Sequence, residues 1–291
     1  RPARAGNGGA VMTGKLDAHM HVWRMSRGDY NWLTPDLGVL WRDFAIADAW
    51  PEARNAGVSQ VILVQAAATT EETDFMLSIA EADERVAGVV GWIDFEAAHA
   101  VDEVERRAAS RHMVGLRPMI ADLPDPEWIL RKEFAPVLQA MVQHGFVFDG
   151  HARHDLVPSM SKLAARHPDL RIVLNHGGKP RIAAAQLDPW RDEIAALAAH
   201  PNVSCKLSGL LTEAGTRKDD AAIGAVVQHL GDCFGPDRLL WGSDWPVLTL
   251  AASYKAWAEQ SERLVARWFP DHADAIWHGN AERIYLGRGG A

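Results

Sequence analysis

Cysteine, positive charge and long apolar runs are all scarce in this sequence. The two cysteines, Cys205 and Cys233, permit at most one disulfide bond, which a chain of this length does not need, so we expect a reducing, cytoplasmic location. Acidic residues outnumber basic ones by 38 to 30 and leave a formal net charge of -8. Without clustered Lys and Arg we expect no nucleic-acid partner. Charged residues or Pro interrupt every hydrophobic stretch before the roughly 18 residues that cross a bilayer, so we expect no membrane partner.

The chain is long enough to form one large hydrophobic core. It has 291 residues, 48% of them hydrophobic, which favours a single domain, although two small domains are an alternative. The first ten residues are rich in Gly, Ala and Arg and lack the apolar core of a secretory signal. We expect residues 1–12 to be a disordered arm or a cloning remnant, and residues 13–291 to form one domain.

Short runs rich in Val, Ile and Leu alternate with segments of helical periodicity, which is typical of a parallel α/β sheet. The predicted strands are 15–21, 58–66, 86–94, 113–119, 145–152, 171–177, 203–209 and 238–244. The predicted helices are 70–83, 134–144, 156–167, 190–200, 221–233 and 251–268. Eight strands in this order predict a (β/α)8 TIM barrel. A doubly wound open sheet is the rival, but no Gly-rich nucleotide motif follows the first strand.

Polar residues at the strand ends are the candidates for function, because a (β/α)8 barrel places its chemistry at the C-terminal ends of its strands. In strand order they are His19, His21, Gln65, Trp92, Asp94, Arg117, Asp149, His151, His176, Lys206, Ser208 and Asp244. From this position Gln65, Asp149 and His151 are expected to contact the substrate.

Two histidines at the end of the first predicted strand share one face. In the motif "DAHMH", His19 and His21 are two residues apart, so their side chains point to the same side of the strand. A single histidine here would be explained as a hydrogen-bonded core residue, but two converging imidazoles suit Zn2+ or a substrate carbonyl. We expect any divalent ion to contact His19, His21 and Asp244, with His151 or His176 as a further ligand.

The segment "RLLWGSDWP" carries one carboxylate, Asp244, after an apolar strand. A buried carboxylate is costly unless it binds a metal, pairs with a cation or activates water, so this position indicates chemistry. The structural alternative is a helix N-cap or a turn residue.

Cations end two otherwise apolar strands, Arg117 in "VGLRPM" and Lys206 in "VSCKLSG". They suit an anionic or hydroxylated substrate, and structural pairing with Asp149 or Asp94 is the alternative. Among the twelve tryptophans, most are explained by core packing. Trp32 in "GDYNWLTPD" is expected to form a pocket wall, because long loops after barrel strands act as lids.

Segments spread over nearly the whole chain carry a family resemblance. They are "DAHMHVW", "GDYNWLTP", "LVQAA", "VVGWIDF", "GLRPMIAD", "HGGKP", "CKLSGLLTEA" and "RLLWGSDWPVLTLAASY". Through them the sequence resembles the amidohydrolase superfamily, and within it the amidohydrolase-related family of sugar-acid lactonases that includes L-fuconolactonases and L-rhamnonolactonases. The pyrone-dicarboxylate lactonases are a more distant likeness. The motifs are specific for this family, though not for one substrate.

The resemblance implies a (β/α)8 fold and hydrolysis of a sugar-acid lactone. It also implies that Asp244 activates water, and that His19, His21 and His176 bind a metal or polarise the substrate carbonyl directly. Ester hydrolysis requires an activated water, a polarised carbonyl and a protonated leaving group. We therefore predict Asp244 as the general base that then returns the proton, His19 and His21 as carbonyl-polarising groups, and His176 as the group that stabilises the oxyanion.

Two positions depart from the pattern of that family. Asn175 stands where close relatives usually have Asp, and "DGHARH" places His151 and His154 where relatives tend to be apolar. The cofactor predicted from the resemblance is a divalent metal, with Zn2+ favoured. It is also predicted to be dispensable, since some lactonases of this family work without one.

The sequence is compatible with three functions. The leading hypothesis is a hydrolase that opens a small sugar-acid lactone with activated water. The second is a metal-dependent, non-hydrolytic decarboxylase of the same family that acts on an aromatic acid. The third is a catalytically silent barrel that binds a sugar acid, which the intact set of His19, His21, His176 and Asp244 disfavours. The sequence predicts neither the sugar nor the oligomeric state.

Overall fold

The computed structural model of the protein describes residues 14–287, and all eight predicted strands lie within them. They are β1 (Lys15–Met20), β2 (Val58–Val64), β3 (Val86–Gly91), β4 (Met113–Leu116), β5 (Val147–Gly150), β6 (Ile172–Leu174), β7 (Val203–Leu207) and β8 (Leu239–Trp241). Consecutive strands pair in parallel from β1 to β8. The expectation of a disordered arm falls on residues 1–12, which lie outside the described residues.

The last strand lies beside the first. The backbone amide of Asp244 donates to the carbonyl of His19 at 2.8 Å, and the amide of His21 donates to the carbonyl of Trp245 at 2.7 Å. A parallel bridge between Met20 and Trp245 continues this pairing. The predicted single-domain (β/α)8 barrel is therefore confirmed.

Helices follow the strands and cover the outside of the barrel. They are α1 (Ile46–Asn55), α2 (Thr70–Ala82), α3 (Ala100–Ala108), α4 (Ala135–Gln143), α5 (Val157–Arg166), α6 (Trp190–Ala198), α7 (Asp220–Phe234) and α8 (Tyr254–Trp268). Six of these match predicted helices, and α1 and α3 were missed. Pro51 interrupts the helical signal of α1. The charged helix α3 buries only two apolar residues, Ala100 and Val104, beside Arg107.

Several predicted strands run too far at their C-terminal ends. Residues 175–177 and 242–244 were predicted to extend the sixth and eighth strands, which end at Leu174 and Trp241. His176 and Asp244 have φ angles of 54° and 59°, in the left-handed region that a strand cannot contain. Both residues therefore lie on the loops that follow the strands, at the C-terminal mouth of the barrel.

The C-terminal segment fills the opposite end of the barrel interior. Residues of its second helical turn, Glu282–Leu286, pack against inward-facing strand side chains in one buried cluster. The cluster consists of Leu16, Ala18, Ile62, Val64, Val90, Val114, Val147, Val173, Leu240, Ala281, Ile284 and Tyr285. The hydroxyl group of Tyr285 reaches through this layer and donates to Asp149 at 3.1 Å. The interior is thus a packed core with its polar groups near the mouth.

The loop between β1 and α1 lies over the mouth. Its residue Trp32 donates a hydrogen bond from Nε1 to the carbonyl of Ala66 at 2.6 Å. The buried carboxylate of Glu72 in α2 accepts the amides of Ala66 and Ala67 at 2.9 and 2.6 Å. Glu72 therefore fixes the backbone on which Trp32 rests.

Among residues 14–287, no helix is both long enough and apolar enough to cross a membrane.

Candidate active site

A cavity of about 210 Å3 opens at the C-terminal mouth of the barrel. Its walls are formed by His21, Trp32, Ala66, Arg117, Met119, Asp122, His151, His176, Lys179, Asp244 and Val247. This volume is below the roughly 300–1,000 Å3 that is usual for sites of drug-sized ligands. The cavity therefore suits one small ring.

Two histidines and one carboxylate meet at the base of the cavity. The Nε2 atoms of His19 and His21 are 3.1 Å apart. The Oδ1 atom of Asp244 is 3.3 Å from Nε2 of His21 and 3.7 Å from Nε2 of His19. All three side chains are buried. The structure thus brings together the three residues that the sequence analysis assigned to the same centre.

Asp17 fixes the two chain segments that carry this centre. Its Oδ1 atom accepts the amides of His19 and Ser243 at 3.1 and 2.8 Å. Its Oδ2 atom accepts the hydroxyl group of Tyr254 at 2.9 Å. One fully buried carboxylate therefore ties β1, the loop after β8 and helix α8 together, next to both His19 and Asp244.

His176 completes the group from the loop after β6. Its Nε2 atom is 3.9 Å from Oδ1 of Asp244, and its Nδ1 atom is 2.9 Å from the hydroxyl oxygen of Ser208. Gly209 has a φ angle of 60°, and a Cβ atom there would lie 2.5 Å from Nδ1 of His176. Only glycine leaves the ring enough room, so the loop after β7 positions His176.

The environment sets the charges of these groups. Burial lowers the pKa values of His19 and His21 below their ordinary value, and it lowers the pKa of His176 to about 3. Burial by itself would raise the pKa of Asp244, but the neighbouring His176, His21 and Lys179 outweigh it and hold that pKa below 3.8. At neutral pH the site therefore contains one ionised carboxylate among neutral imidazoles, which is the state required of a general base.

Arg117 and Gln65 form one side wall together. The Arg117 guanidinium donates to the main-chain carbonyl of Gln65 and, at 2.9 Å, to its side-chain oxygen. The Gln65 amide group donates back to the Arg117 carbonyl at 3.0 Å. Arg117 lines the cavity, whereas Gln65 is fully buried behind it. The structure therefore places Gln65 behind the wall that Arg117 forms, and its expected substrate contact stays a prediction.

Lys206 and Asp149 also lie behind the cavity. Both side chains are fully buried and form an ion pair at 2.7 Å, and neither lines the cavity. Both were expected to contact the substrate, with mutual pairing as the alternative for Lys206. The structure shows the pairing, because both side chains point into the barrel interior below the histidines. Asn175, the departure from the family pattern, donates to the same carboxylate at 2.5 Å.

The remaining expected contacts lie at the cavity. His151 is 9% exposed and Trp32 forms a wall, as expected for substrate-binding positions. Nδ1 of His151 has no hydrogen-bond partner among the described residues. Asp122 and Lys179 also line the cavity but were not singled out. Both lie within the family-like segments "GLRPMIAD" and "HGGKP", which was the available signal.

The donor atoms of the site suit a divalent metal ion. His19, His176 and Asp244 each offer a ligand atom, and these atoms lie within 4.8 Å of one another. His21 donates from Nδ1 to the carbonyl of Val64 at 2.7 Å, an arrangement that orients Nε2 of a ligating histidine. Imidazole nitrogen and carboxylate oxygen are among the ligands that Zn2+ prefers. The residues present therefore fit a metal, provided that the hydrogen bond between Lys206 and Nδ1 of His19 changes on binding.

Comparison with known proteins gives one consistent family. The amidohydrolase family model, Amidohydro_2, matches residues 16–286. The chain belongs to the amidohydrolase family. The resemblance seen in the sequence is thereby confirmed.

The most informative relatives in this family are two bacterial enzymes. The chain is 38% identical to an L-fucono-1,5-lactonase of Burkholderia ambifaria over 278 residues, covering 94% of this chain and 96% of that protein. It is 35% identical to an L-fucono-1,5-lactonase of Burkholderia multivorans over 289 residues, covering 93% and 95%. An amidohydrolase of Burkholderia multivorans with bound zinc is 36% identical and superposes with a TM-score of 0.87, covering 94% of this chain and 99% of that one. A divalent metal at the His and Asp group agrees with these findings.

Proposed function

We propose that this amidohydrolase opens the lactone of a sugar acid, with water activated by Asp244. The observation that carries the proposal is an ionised carboxylate held among neutral imidazoles at the base of a cavity for one small ring. The likeness to two L-fucono-1,5-lactonases over nearly the whole chain supports the same substrate class. The decarboxylase and the silent binding barrel are not better supported.

Asp244 acts first in the proposed reaction. Its carboxylate accepts a proton from a water molecule in the cavity, and that water attacks the lactone carbonyl. Hydrogen bonds from His19 and His176 stabilise the negative charge that develops on the carbonyl oxygen. Asp244 then returns its proton to the ring oxygen as the carbon–oxygen bond breaks, which releases the hydroxy acid. Asp244 thus accepts one proton and returns one proton, and no other acid or base is needed.

In this proposal His21 orients water and does not polarise the carbonyl. Its Nδ1 atom donates to the Val64 carbonyl, so the neutral ring presents a lone pair at Nε2 and cannot polarise a carbonyl by donation. That lone pair, 3.3 Å from Asp244, orients the attacking water beside the base. In this tautomer, Nε2 of His21 can accept a hydrogen bond from water or bind a metal ion.

For the cofactor we propose zinc that is dispensable for turnover. His21, His176 and Asp244 would hold it, and His19 would join once its proton moved from Nε2 to Nδ1. A bound ion would polarise the carbonyl and acidify water. The zinc-bound relative supports this choice. A cytoplasmic location and the lack of a nucleic-acid partner stay predictions from composition.

The substrate is held by the cavity walls. Trp32 covers one face of the ring, and Arg117 and His151 bind its oxygen atoms. Asp122 adds an exposed carboxylate to the same wall, which favours a neutral polyhydroxylated ring over a dicarboxylate. Two hydroxyl groups of the sugar can donate to the Asp122 carboxylate, whereas the extra carboxylate of a dicarboxylate substrate would be repelled by it.

A substrate panel tests this proposal. Acid release is followed with a pH indicator on L-fucono-1,5-lactone, other 1,5- and 1,4-aldonolactones and a lactone dicarboxylate, with and without chelator. Carbon dioxide release from an aromatic acid is measured in parallel. We expect turnover of a neutral aldonolactone that persists after chelation. Release of carbon dioxide, or no lactone turned over above the spontaneous rate, would overturn the proposal.

A further inference from the structure

Lys206 lies directly behind His19. Its Nζ atom is 2.7 Å from Oδ2 of Asp149 and 3.1 Å from Nδ1 of His19. Both members of the ion pair have no exposed side-chain surface. The carboxylate of Asp149 also accepts Asn175 at 2.5 Å and Tyr285 at 3.1 Å. A buried cation is thus anchored on one side and directed at an imidazole on the other.

The contact with Lys206 shows which nitrogen of His19 carries the proton. A lysine ammonium group has three donors and no acceptor. Nδ1 of His19 must therefore accept from Lys206, so the Nδ1 atom carries no proton. An imidazole without a proton on Nδ1 carries its proton on Nε2.

The same assignment follows independently from His21. Its Nδ1 atom is 2.7 Å from the Val64 carbonyl, and a carbonyl can only accept, so the proton of His21 is on Nδ1. Its bare Nε2 atom is 3.1 Å from Nε2 of His19, and one of these two atoms must donate. The proton therefore belongs to Nε2 of His19, in agreement with the assignment from Lys206.

We infer that Lys206, anchored by Asp149, is a positioning residue that keeps His19 in the Nε2-protonated tautomer. When the Nε2–H group of His19 donates to a substrate carbonyl, its hydrogen bond to His21 is broken. The hydrogen bond from Lys206 to Nδ1 then holds His19 in this tautomer. Nε2 of His19 therefore presents a hydrogen-bond donor to the carbonyl oxygen, and not a lone pair. The consequence for turnover rests on the proposed lactonase function, whereas the tautomer does not.

The tautomer is tested by nitrogen-15 NMR of the full-length, chelator-treated protein, with the His19 signals assigned by their loss in His19→Gln. In His21→Ala, the His21 contact is lost while the Lys206 hydrogen bond remains, with Asp244 3.7 Å from Nε2, and we expect His19 to keep its proton on Nε2. Adding Lys206→Met to that variant should transfer much of the proton to Nδ1. A His19 proton on Nδ1 in His21→Ala, or no change on adding Lys206→Met, would overturn the inference. Neither outcome depends on lactone hydrolysis.

Kinetics separate this role from simple pairing with Asp149. Lys206→Met should lower kcat by about 100-fold, the usual effect of losing one oxyanion donor, with little change in KM. Lys206→Gln keeps donors toward both His19 and Asp149 and should retain most of the turnover. Tyr285→Phe removes a different hydrogen bond to Asp149 and should stay within about twofold of the parent. Equal losses in the Met and Gln variants would show that charge pairing alone matters and would contradict the role.

Folding of the Lys206 variants is checked by circular dichroism. Should Lys206→Met alone not fold, the double variant with Asp149→Asn removes the unpaired buried carboxylate, which is the expected cause of misfolding. In the His21→Ala background, the double variant is expected to show the same shift of the His19 proton. An unshifted His19 proton in it contradicts the inference in the same way.

Discussion

The backbone amide of Asp244 donates to the carbonyl of His19 at 2.8 Å, so the loop that follows the eighth strand is hydrogen-bonded to the C-terminal end of the first strand. This contact both closes the barrel and sets the distance between the general base and the imidazole that faces the substrate. Asp17 strengthens it by accepting amides from both sides of the junction. The contacts that close the barrel therefore also hold the residues of the site together.

Tyr254→Phe tests this junction. The tyrosine hydroxyl donates to the buried carboxylate of Asp17 at 2.9 Å, and hydrogen bonds to charged groups contribute about 1.5–3 kcal/mol. We expect the free energy of unfolding in urea at pH 8 to fall by about that amount. An unchanged free energy of unfolding would show that Asp17 does not depend on Tyr254.

Trp32 is predicted to govern substrate affinity. Trp32→Ala removes one wall of the cavity and should raise KM by about tenfold or more, since a buried aromatic contact contributes about 1.5–3 kcal/mol. Trp32→Phe keeps an aromatic face but loses the hydrogen bond to Ala66, so its KM should lie between the two. A KM for Trp32→Ala equal to that of the parent would remove Trp32 from the substrate site.

Glu72 makes stability depend on pH. Burial raises its pKa from 4.5 to about 7, against the opposing effect of the Ala67 and Ala66 amides. The folded protein thus binds the proton more tightly than the unfolded chain. The free energy of unfolding should therefore fall as pH rises from about 4.5 to about 7, by up to about 3 kcal/mol, and then level off.

The matched variant for this effect is Glu72→Gln, which keeps an oxygen to accept the two amides. Urea unfolding at pH 5 and pH 8 should show that the variant gains stability relative to the parent at the higher pH. A parent and variant with the same pH dependence would contradict the raised pKa of Glu72.

The pH dependence of turnover follows from the same reasoning. The pKa of His176 is lowered to about 3, and those of His19, His21 and Asp244 also lie below their ordinary values. No catalytic group then titrates near 6.5, and kcat/KM should be flat from about pH 6 to pH 8. Burial raises the pKa values of the supporting carboxyl groups of Asp17 and Glu72 to about 6 and about 7. An acid limb centred near 6.5 that persists in Asp17→Asn and Glu72→Gln, in protein shown to be folded at each pH, would mean that a histidine is charged in the resting site.

Much of this site was predictable from simple periodicity. The spacing of His19 and His21 placed both on one face, and closure of an eight-strand barrel placed Asp244 beside them. The roles of Lys206 and Asp149 were harder, because a strand pattern does not separate residues that point into the barrel from those that reach its mouth. Asp122 and Lys179 lie on loops, where no periodicity indicates direction. The left-handed backbone of His176 and Asp244 has no sequence signal at all, which is why the predicted strands ran too long.

The central claim is that Asp244 is the base for lactone hydrolysis, and it is tested by comparing Asp244→Asn with Asp122→Asn. Both variants lose one carboxylate from the same cavity, but only the first loses the group that accepts the proton of water. On the best lactone of the panel, Asp244→Asn should lose about 100-fold to 10,000-fold in kcat, while Asp122→Asn should change mainly KM. Near-normal turnover by folded Asp244→Asn would contradict the account, and His151 would then be the first alternative base to examine.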